Sequence, residues 1–162
     1  MKIHTRPATL EDVPFLADVV IKATLAQGRF DSTFNEAEYR AGYEDWTREI
    51  ILGKEPDCVL SVIELEGHSI GRLRVIRTNT KITLAGIQLL PEFQNQRIGT
   101  HLIEQLKREA EQKIIPLCIS VEKDNPNAKR LYERLGFSMV GQDENEYHLE
   151  YHPDQGIPQY HS

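Results

Sequence analysis

Residues 89–100 read Leu-Leu-Pro-Glu-Phe-Gln-Asn-Gln-Arg-Ile-Gly-Thr and have the composition of an anion-binding junction. An apolar strand pattern over residues 81–90 stops at Pro91, and an amphipathic helical pattern begins at Gly99 after a polar loop. The first amides of a helix lack internal partners and the helix dipole adds partial positive charge, so this junction can hold a phosphate. Gly99 would allow a close backbone approach to such a ligand, and ordinary helix entry is the alternative explanation.

Residues 125–137 contain a second candidate for chemistry, the phenol of Tyr132. Asn125 is a typical N-cap before Pro126, and Gly136 follows the end of the helical pattern. A phenol with a pKa of about 10 can donate a proton to a leaving group. The alternative is a core helix in which Tyr132 is a buried aromatic residue. The apolar face of this predicted helix carries Ala128, Leu131, Tyr132 and Leu135.

The elements that must position these segments follow from the spacing of apolar residues. The pattern predicts a strand, two helices, three strands, a helix, a strand, a helix and a final hairpin. The first helix starts either at Thr9, through a capping box, or at Asp12, with Pro14 in its first turn, and it ends at Gly28. The other predicted ranges are 2–6, 35–52, 58–66, 70–77, 81–90, 99–112, 117–121, 126–135, 138–141 and 147–151, with an irregular tail over 152–162.

Composition excludes several classes of protein. The 162 residues carry a formal net charge of −6, whereas a general nucleic-acid binder needs a basic face. The histidines and the two cysteines have no metal-ligand spacing, so no metal is expected, and both thiols are expected to be free and buried. No apolar run reaches the roughly 18 residues that span a bilayer, and no apolar signal region opens the chain. The prediction is a cytoplasmic protein with no membrane or nucleic-acid partner.

Together the two segments resemble the signature motifs of the GNAT superfamily of N-acetyltransferases, in the family's order and separation. The first resembles the acyl-CoA pyrophosphate loop Gln/Arg-x-x-Gly-x-Gly/Ala, with Gln94 at the first position and Gly99 at the last. The second resembles Asn-x-x-Ala-x-x-x-Tyr-x-x-x-Gly-Phe and is met by Asn125, Ala128, Tyr132, Gly136 and Phe137. The fourth loop position, usually Gly, is Arg97. If it requires a positive φ, Arg97 costs about 1 kcal/mol, unless the loop takes a path that Arg tolerates.

The resemblance implies an α/β fold with a central mixed, mostly antiparallel sheet of about seven strands, splayed between the fourth and fifth, and about four flanking helices. It implies one acetyltransferase domain over 1–162 that uses acetyl-CoA as acyl donor. In such enzymes an amine attacks the thioester directly in a ternary complex, and Tyr132 matches the general acid. The cofactor-binding positions it implies are Ile87, Leu89, Leu90, Gln94, Asn95, Gln96, Arg97, Ile98, Gly99, Thr100, Asn125, Ala128 and Tyr132.

The resemblance leaves the general base and the acceptor open. A base position that some members fill with Glu, five residues before the motif Asn, is Ser120 here, and Glu122 is the candidate substitute. The acceptor pocket implied for residues 29–43 contains Phe30, Asp31, Phe34 and Tyr39. Its acidic residues would favour a cationic amine, whereas Arg72 and Arg74 on one side of their strand would favour an acidic acceptor.

The predicted partners are therefore a small-molecule amine or a protein amino group, and a homodimer is an open alternative to the monomer. The second functional hypothesis is a non-catalytic acyl-CoA-binding sensor or partner module on the same fold.

Overall fold

The computed structural model of the chain describes residues 2–28 and 30–153. Its seven strands are β1 (Ile3–Pro7), β2 (Cys58–Leu65), β3 (His68–Arg77), β4 (Ile82–Leu89), β5 (Leu117–Glu122), β6 (Ser138–Gln142) and β7 (Glu146–Tyr151). Its four α-helices are α1 (Val13–Ala26), α2 (Glu36–Ile51), α3 (Ile98–Lys113) and α4 (Pro126–Arg134). The predicted order of elements is confirmed, and the predicted ends differ from the observed ones by at most two residues.

Local capping explains where the helices begin. Thr9 opens only a short 3-10 turn over Leu10–Asp12, and α1 starts after Asp12 with Pro14 in its first turn. The second of the two predicted starts is therefore the observed one, because proline fits only where the amide needs no helical partner. Asn35 caps α2 by accepting a hydrogen bond from the amide of Glu38.

The strands form one mixed sheet in the order β1-β2-β3-β4-β5-β7-β6. β4 and β5 pair in parallel, and the paired residues are Ile82–Leu84 with Leu117–Ile119. Both strands continue beyond these three pairs, so the pairing covers only the first part of β4. The expected mixed sheet of seven strands with four helices is thus confirmed.

The described residues divide into two compact units. The first contains the residues up to Ile76 together with Gly86–Thr100, and the second contains Arg77–Ala85 and the described residues from His101 onward. One hydrophobic cluster of the first unit joins α1, α2 and β2 and includes Leu16, Ile50, Cys58, Leu60 and Val62. The second unit buries Leu106, Ile119, Tyr132, Phe137 and Leu149, among others. That 1–162 form one domain stays a prediction.

No helix within residues 2–28 and 30–153 is both long enough and apolar enough to cross a bilayer. The prediction of an irregular tail falls mainly on residues 154–162, which lie outside the described residues.

Candidate active site

The loop between β4 and α3 offers backbone donors in the first unit. Asn95 has a φ of 61° and Arg97 a φ of 63°, and both values lie in the left-handed region. No described residue accepts a hydrogen bond from the amides of Asn95, Gln96 or Arg97. Left-handed residues in a loop can turn backbone amides toward one concave side, an arrangement that can bind anions. The loop and the first turn of α3 therefore suit a pyrophosphate.

The loop is fixed to β4 by its own polar groups. The side-chain Nε2 of Gln94 donates to the carbonyl of Leu89 at 3.2 Å, and the amide of Gln94 donates to Pro91 at 3.2 Å. The amide of Leu90 donates to the carbonyl of Ile70 at 2.9 Å. Contacts from Leu90 and Gln94 to a cofactor must therefore come from atoms other than these amides.

Arg97, and not Gly99, is the position where backbone geometry constrains the residue type. A Cβ added to Gly99 would meet only the Cδ1 of Ile87, at an ordinary 3.9 Å. Arg97 has a positive φ, a conformation that glycine adopts without strain. Its guanidinium is exposed at the loop surface, where it can add positive charge toward a phosphate.

Replacing Arg97 by glycine is expected to stabilise the protein. Relief of left-handed strain outweighs the extra chain entropy of glycine by about 0.5–1 kcal/mol, which corresponds to a Tm increase of roughly 1–4 °C for a chain of this length. Differential scanning calorimetry measures the change in Tm. Gln96→Gly is the matched control, since Gln96 lacks a positive φ and should lose stability. A lower Tm for Arg97→Gly would contradict the left-handed assignment.

Tyr132 lies in the second unit on α4 and is 8% exposed. Its ring makes an edge contact with Phe137, the two centroids being 5.6 Å apart. Burial raises its pKa to about 12, so the phenol stays protonated at neutral pH. No described residue accepts a hydrogen bond from its hydroxyl. Tyr132 is therefore a core aromatic residue whose hydroxyl makes no hydrogen bond to another described residue. Both sequence-based alternatives, a buried aromatic residue and a proton donor, are compatible with this position.

Asn125 and Ala128 together form the start of α4. The Oδ1 of Asn125 accepts a hydrogen bond from the amide of Ala128 at 3.3 Å, as expected for an N-cap. The helix ends before Gly136, whose φ of 98° explains the glycine at that position. Because Oδ1 is used by the cap, the predicted contact of Asn125 with a cofactor would have to come from its Nδ2.

A Ser-His-Asp chain lies on β5, β7 and the turn before β7. Ser120 is paired with His148 across the strands, and its Oγ lies 2.9 Å from His148 Nδ1. His148 Nε2 lies 3.2 Å from Asp143 Oδ2. The amides of Asn145 and Glu146 donate to Asp143 and lower its pKa, so the carboxylate is ionised and fixed. An ionised Asp143 favours the proton on Nε2, which leaves Nδ1 to accept from the serine.

Sequence reasoning missed His148, although it identified Ser120 as a family base position. His148 lies 28 positions beyond Ser120, and only strand register brings them together. Glu122, the sequence-based candidate, is the last residue of β5 and is exposed. The available signal was the alternation of side chains along each strand, which places Ser120 and His148 on one side of neighbouring strands. This signal can be used only when the pairing of the two strands is known.

Cys118 is the second residue of β5 and is only half-buried, so the expectation of two buried thiols holds for Cys58 alone. Burial raises the pKa of Cys118 to about 11. A thiol with that pKa is protonated at neutral pH and is a poor nucleophile. Within residues 2–28 and 30–153, no three His, Cys, Asp or Glu side chains are arranged to hold a metal ion.

The aromatic residues expected in the acceptor pocket do lie together. The rings of Phe30 and Phe34 stack at 3.7 Å, and Tyr39 meets them edge-on at 5.1 and 5.6 Å. Asp31 has a different environment, because its Oδ1 accepts from both the amide and the hydroxyl of Thr33. These bonds lower the pKa of Asp31, and the carboxylate is partly used by its own turn.

Solved structures share this fold. The PaiA N-acetyltransferase from Thermoplasma acidophilum in complex with coenzyme A superimposes with a TM-score of 0.76 at 21% identity, covering 94% of this chain and 99% of that one. A spermidine N-acetyltransferase chimera from Vibrio cholerae and hSSAT gives a TM-score of 0.70 at 17% identity, covering 96% and 98%. The architecture is therefore that of N-acetyltransferases.

The sequence defines the family. Residues 23–137 match the model of the Acetyltransferase (GNAT) family, and the chain belongs to that family of acyltransferases. The spore coat polysaccharide biosynthesis protein SpsD of Bacillus subtilis (strain 168) is 31% identical over 97 residues, or 59% of this chain. Those residues are 33% of SpsD, so the match spans about a third of that relative.

Proposed function

We propose that this protein transfers the acetyl group of acetyl-CoA to a primary amine, with both substrates bound in a ternary complex. The observation that carries the proposal is the loop with left-handed Asn95 and Arg97 and three amides without partners among the described residues. It directly precedes a 16-residue amphipathic helix, α3. Family membership over residues 23–137 supports the acyl-transfer chemistry, and the coenzyme A complex of the PaiA enzyme supports the donor.

Acetyl-CoA supplies the thioester, and the residues assigned to hold it are largely backbone groups. Amides from Asn95 to Thr100 would bind the pyrophosphate, with Arg97 adding charge. Backbone groups of Ile87 and Leu89 on β4 would hold the pantetheine arm, as the family resemblance implies. Asn125 would add a side-chain contact through Nδ2.

The chemistry requires two proton transfers. The amine nitrogen bonds to the acyl carbon while the carbon–sulfur bond breaks, the amine gives up a proton, and the thiolate takes one. Tyr132 is the proposed donor to the thiolate, since its phenol is protonated and makes no hydrogen bond to another described residue. Burial near an apolar core keeps that proton available across neutral pH.

His148, acting through Ser120, is the proposed acceptor of the amine proton. An alkylammonium with a pKa near 10 is mostly protonated at pH 7, so a base increases the reactive fraction. The proton would pass from the amine to Ser120 Oγ as the serine proton passes to His148 Nδ1, and Asp143 would stabilise the resulting imidazolium. Glu122, acting through water, is the competing candidate.

The acceptor proposed is a small-molecule amine or a protein amino group, in agreement with the substrate in the name of the spermidine N-acetyltransferase chimera. A cytoplasmic location and the absence of nucleic-acid and membrane partners are parts of the same proposal. They rest on the charge of −6 and on the composition. A homodimer is compatible with the proposal and is not required by it.

Calorimetric titration with acetyl-CoA is the direct test, with free CoA for comparison. Saturable binding with a Kd of roughly 1–100 µM is expected for both, because the pyrophosphate loop contacts a part they share. Release of CoA with a panel of amines then separates an enzyme from a non-catalytic acyl-CoA-binding module. If neither ligand binds, the loop does not hold a pyrophosphate and the proposed function is wrong.

A further inference from the structure

Arg72 is a buried cation in the first unit. It lies on β3 with 5% of its surface exposed, and its Nη1 donates to the Oε1 of Gln88 at 2.7 Å. Its guanidinium passes over Gly86 on β4, where an added Cβ would lie 2.7 Å from Nη1. The missing side chain at Gly86 therefore provides the room for this arginine.

The charge of Arg72 has no counterion within residues 2–28 and 30–153. Arginine remains protonated in proteins even where burial lowers its pKa, as it does here. Nε is buried and has no hydrogen-bond partner among the described residues. Burying an uncompensated charge is costly, so native proteins seldom keep one without a functional reason.

Two further buried donors lie beside Arg72. The Nε of Arg74 and the hydroxyl of Tyr43 are also buried and have no partner among the described residues. The Cζ of Arg72 lies 5.5 Å from the ring centroid of Tyr43 and 5.8 Å from that of Trp46. The Cζ of Arg74 lies 5.0 Å from the ring centroid of Trp46. The Nη2 of Arg74 donates a hydrogen bond to the Oε2 of the exposed Glu55 at 3.1 Å.

This cluster is continuous with the expected acceptor pocket. Tyr39 and Tyr43 stack at 6.2 Å, and Tyr43 meets Trp46 at 5.7 Å along one face of α2. Tyr39 also contacts Phe30 and Phe34, so a row of aromatic rings joins the pocket residues to the arginines. β4, which carries Gly86 and Gln88, is the strand assigned to the pantetheine arm.

We propose that Arg72, supported by Arg74, is the binding site for a carboxylate of the acceptor, so that the acceptor is an amine that also carries an acid group. This inference rests on the proposed function for the amine and on the cluster for the carboxylate. Nε and Nη2 form the side of a guanidinium that binds a carboxylate through two parallel hydrogen bonds. The aromatic row would contact the apolar part of such an acceptor.

The competing explanation is a structural one, in which the guanidinium only packs between aromatic rings. Replacing a buried charge by an apolar residue of similar length is often neutral or stabilising. Arg72→Met should then leave ligand preference unchanged. If Arg72 binds a carboxylate, the same variant should fold normally but should no longer distinguish acids from their amides.

The experiment uses pairs of amines that differ only in a carboxylate or a carboxamide, such as L-phenylalanine with L-phenylalaninamide and L-leucine with L-leucinamide. Trp46, the only tryptophan in the chain, lies against both arginines, so its fluorescence reports binding without acetyl-CoA. Release of CoA measures turnover in parallel. The full-length wild type is compared with Arg72→Met, and Arg108→Met, an exposed change on α3, is the control.

We expect the acid member of at least one pair to bind the wild type and Arg108→Met about 10- to 100-fold more tightly than its amide, and Arg72→Met to lose this ratio. Equal binding of acids and amides in the wild type, or a ratio that survives in Arg72→Met, would overturn the inference. So would a panel in which no acid changes Trp46 fluorescence.

The two proposals fail separately. Rapid acetylation of spermidine and of the carboxamides, with no preference for acids, would leave the proposed function standing and remove the carboxylate site. Acid-specific quenching of Trp46 without acetyl-CoA binding or CoA release would support the site and contradict the acetyltransferase.

Discussion

Tyr132→Phe is expected to lower kcat by about 100- to 1,000-fold while leaving the Kd for acetyl-CoA unchanged. The substitution removes one hydroxyl, and general acid catalysis commonly contributes 10²- to 10⁴-fold. The ring contact with Phe137 survives because the aromatic ring is kept, so the fold should be preserved. The measurement is kcat at saturating acetyl-CoA with an acceptor found in the amine panel, together with calorimetric titration of acetyl-CoA.

Tyr147→Phe is the matched control, since Tyr147 is a half-buried tyrosine on β7 to which no catalytic role is assigned. It should retain kcat within a few-fold. Equal rates for Tyr132→Phe and the wild type would remove Tyr132 from the mechanism. A large rise in the Kd for acetyl-CoA would show that the hydroxyl binds the donor and does not transfer a proton.

His148→Gln is expected to lower kcat/KM by about 100-fold near pH 7, because the amine would lose its proton acceptor. The difference in kcat/KM between variant and wild type should narrow as pH rises toward the amine pKa of about 10, because the amine substrate is then neutral without a base. A role limited to strand pairing would lower the rate equally at all pH values. The test is the pH dependence of kcat/KM for the wild type and the variant.

Ser120→Ala should produce a deficit with the same pH dependence, and Glu122→Gln should not. His101→Gln is the control for loss of a histidine, since His101 bonds Gln105 within α3. A pH-dependent loss in Glu122→Gln, with none in His148→Gln, would assign the base to Glu122. An acetylated Ser120 found by mass spectrometry after mixing with acetyl-CoA alone would contradict direct transfer.

Local rules explain what could be predicted well. Asn125 capping α4, Asp12 before Pro14 in α1 and Gly136 beyond α4 all depend on contacts within four residues. Such contacts are fixed by residue type and spacing, so the sequence contains them in full. The two motifs are equally local, and they are enough to indicate the family.

Features that depend on partners distant in the chain could not be predicted. Ser120 meets His148 only through the register of β5 with β7, and Arg72 meets Tyr43 only because β3 packs beside α2. The sequence already indicates that Arg72 and Arg74 would favour an acidic acceptor, but nothing in the neighbours of Arg72 predicts its burial.

The order of elements, the helix caps and the two motifs that contain Gln94 and Tyr132 follow from residue types and spacing alone. The left-handed conformation of Arg97 and the hydrogen bond between His148 and Ser120 are seen only in the folded chain. The same is true of the burial of Arg72, which has no counterion among the described residues. Periodicity and capping act over one or two turns of chain. Burial and charge pairing are properties of the packed sheet, and they exist only once strands distant in sequence are aligned.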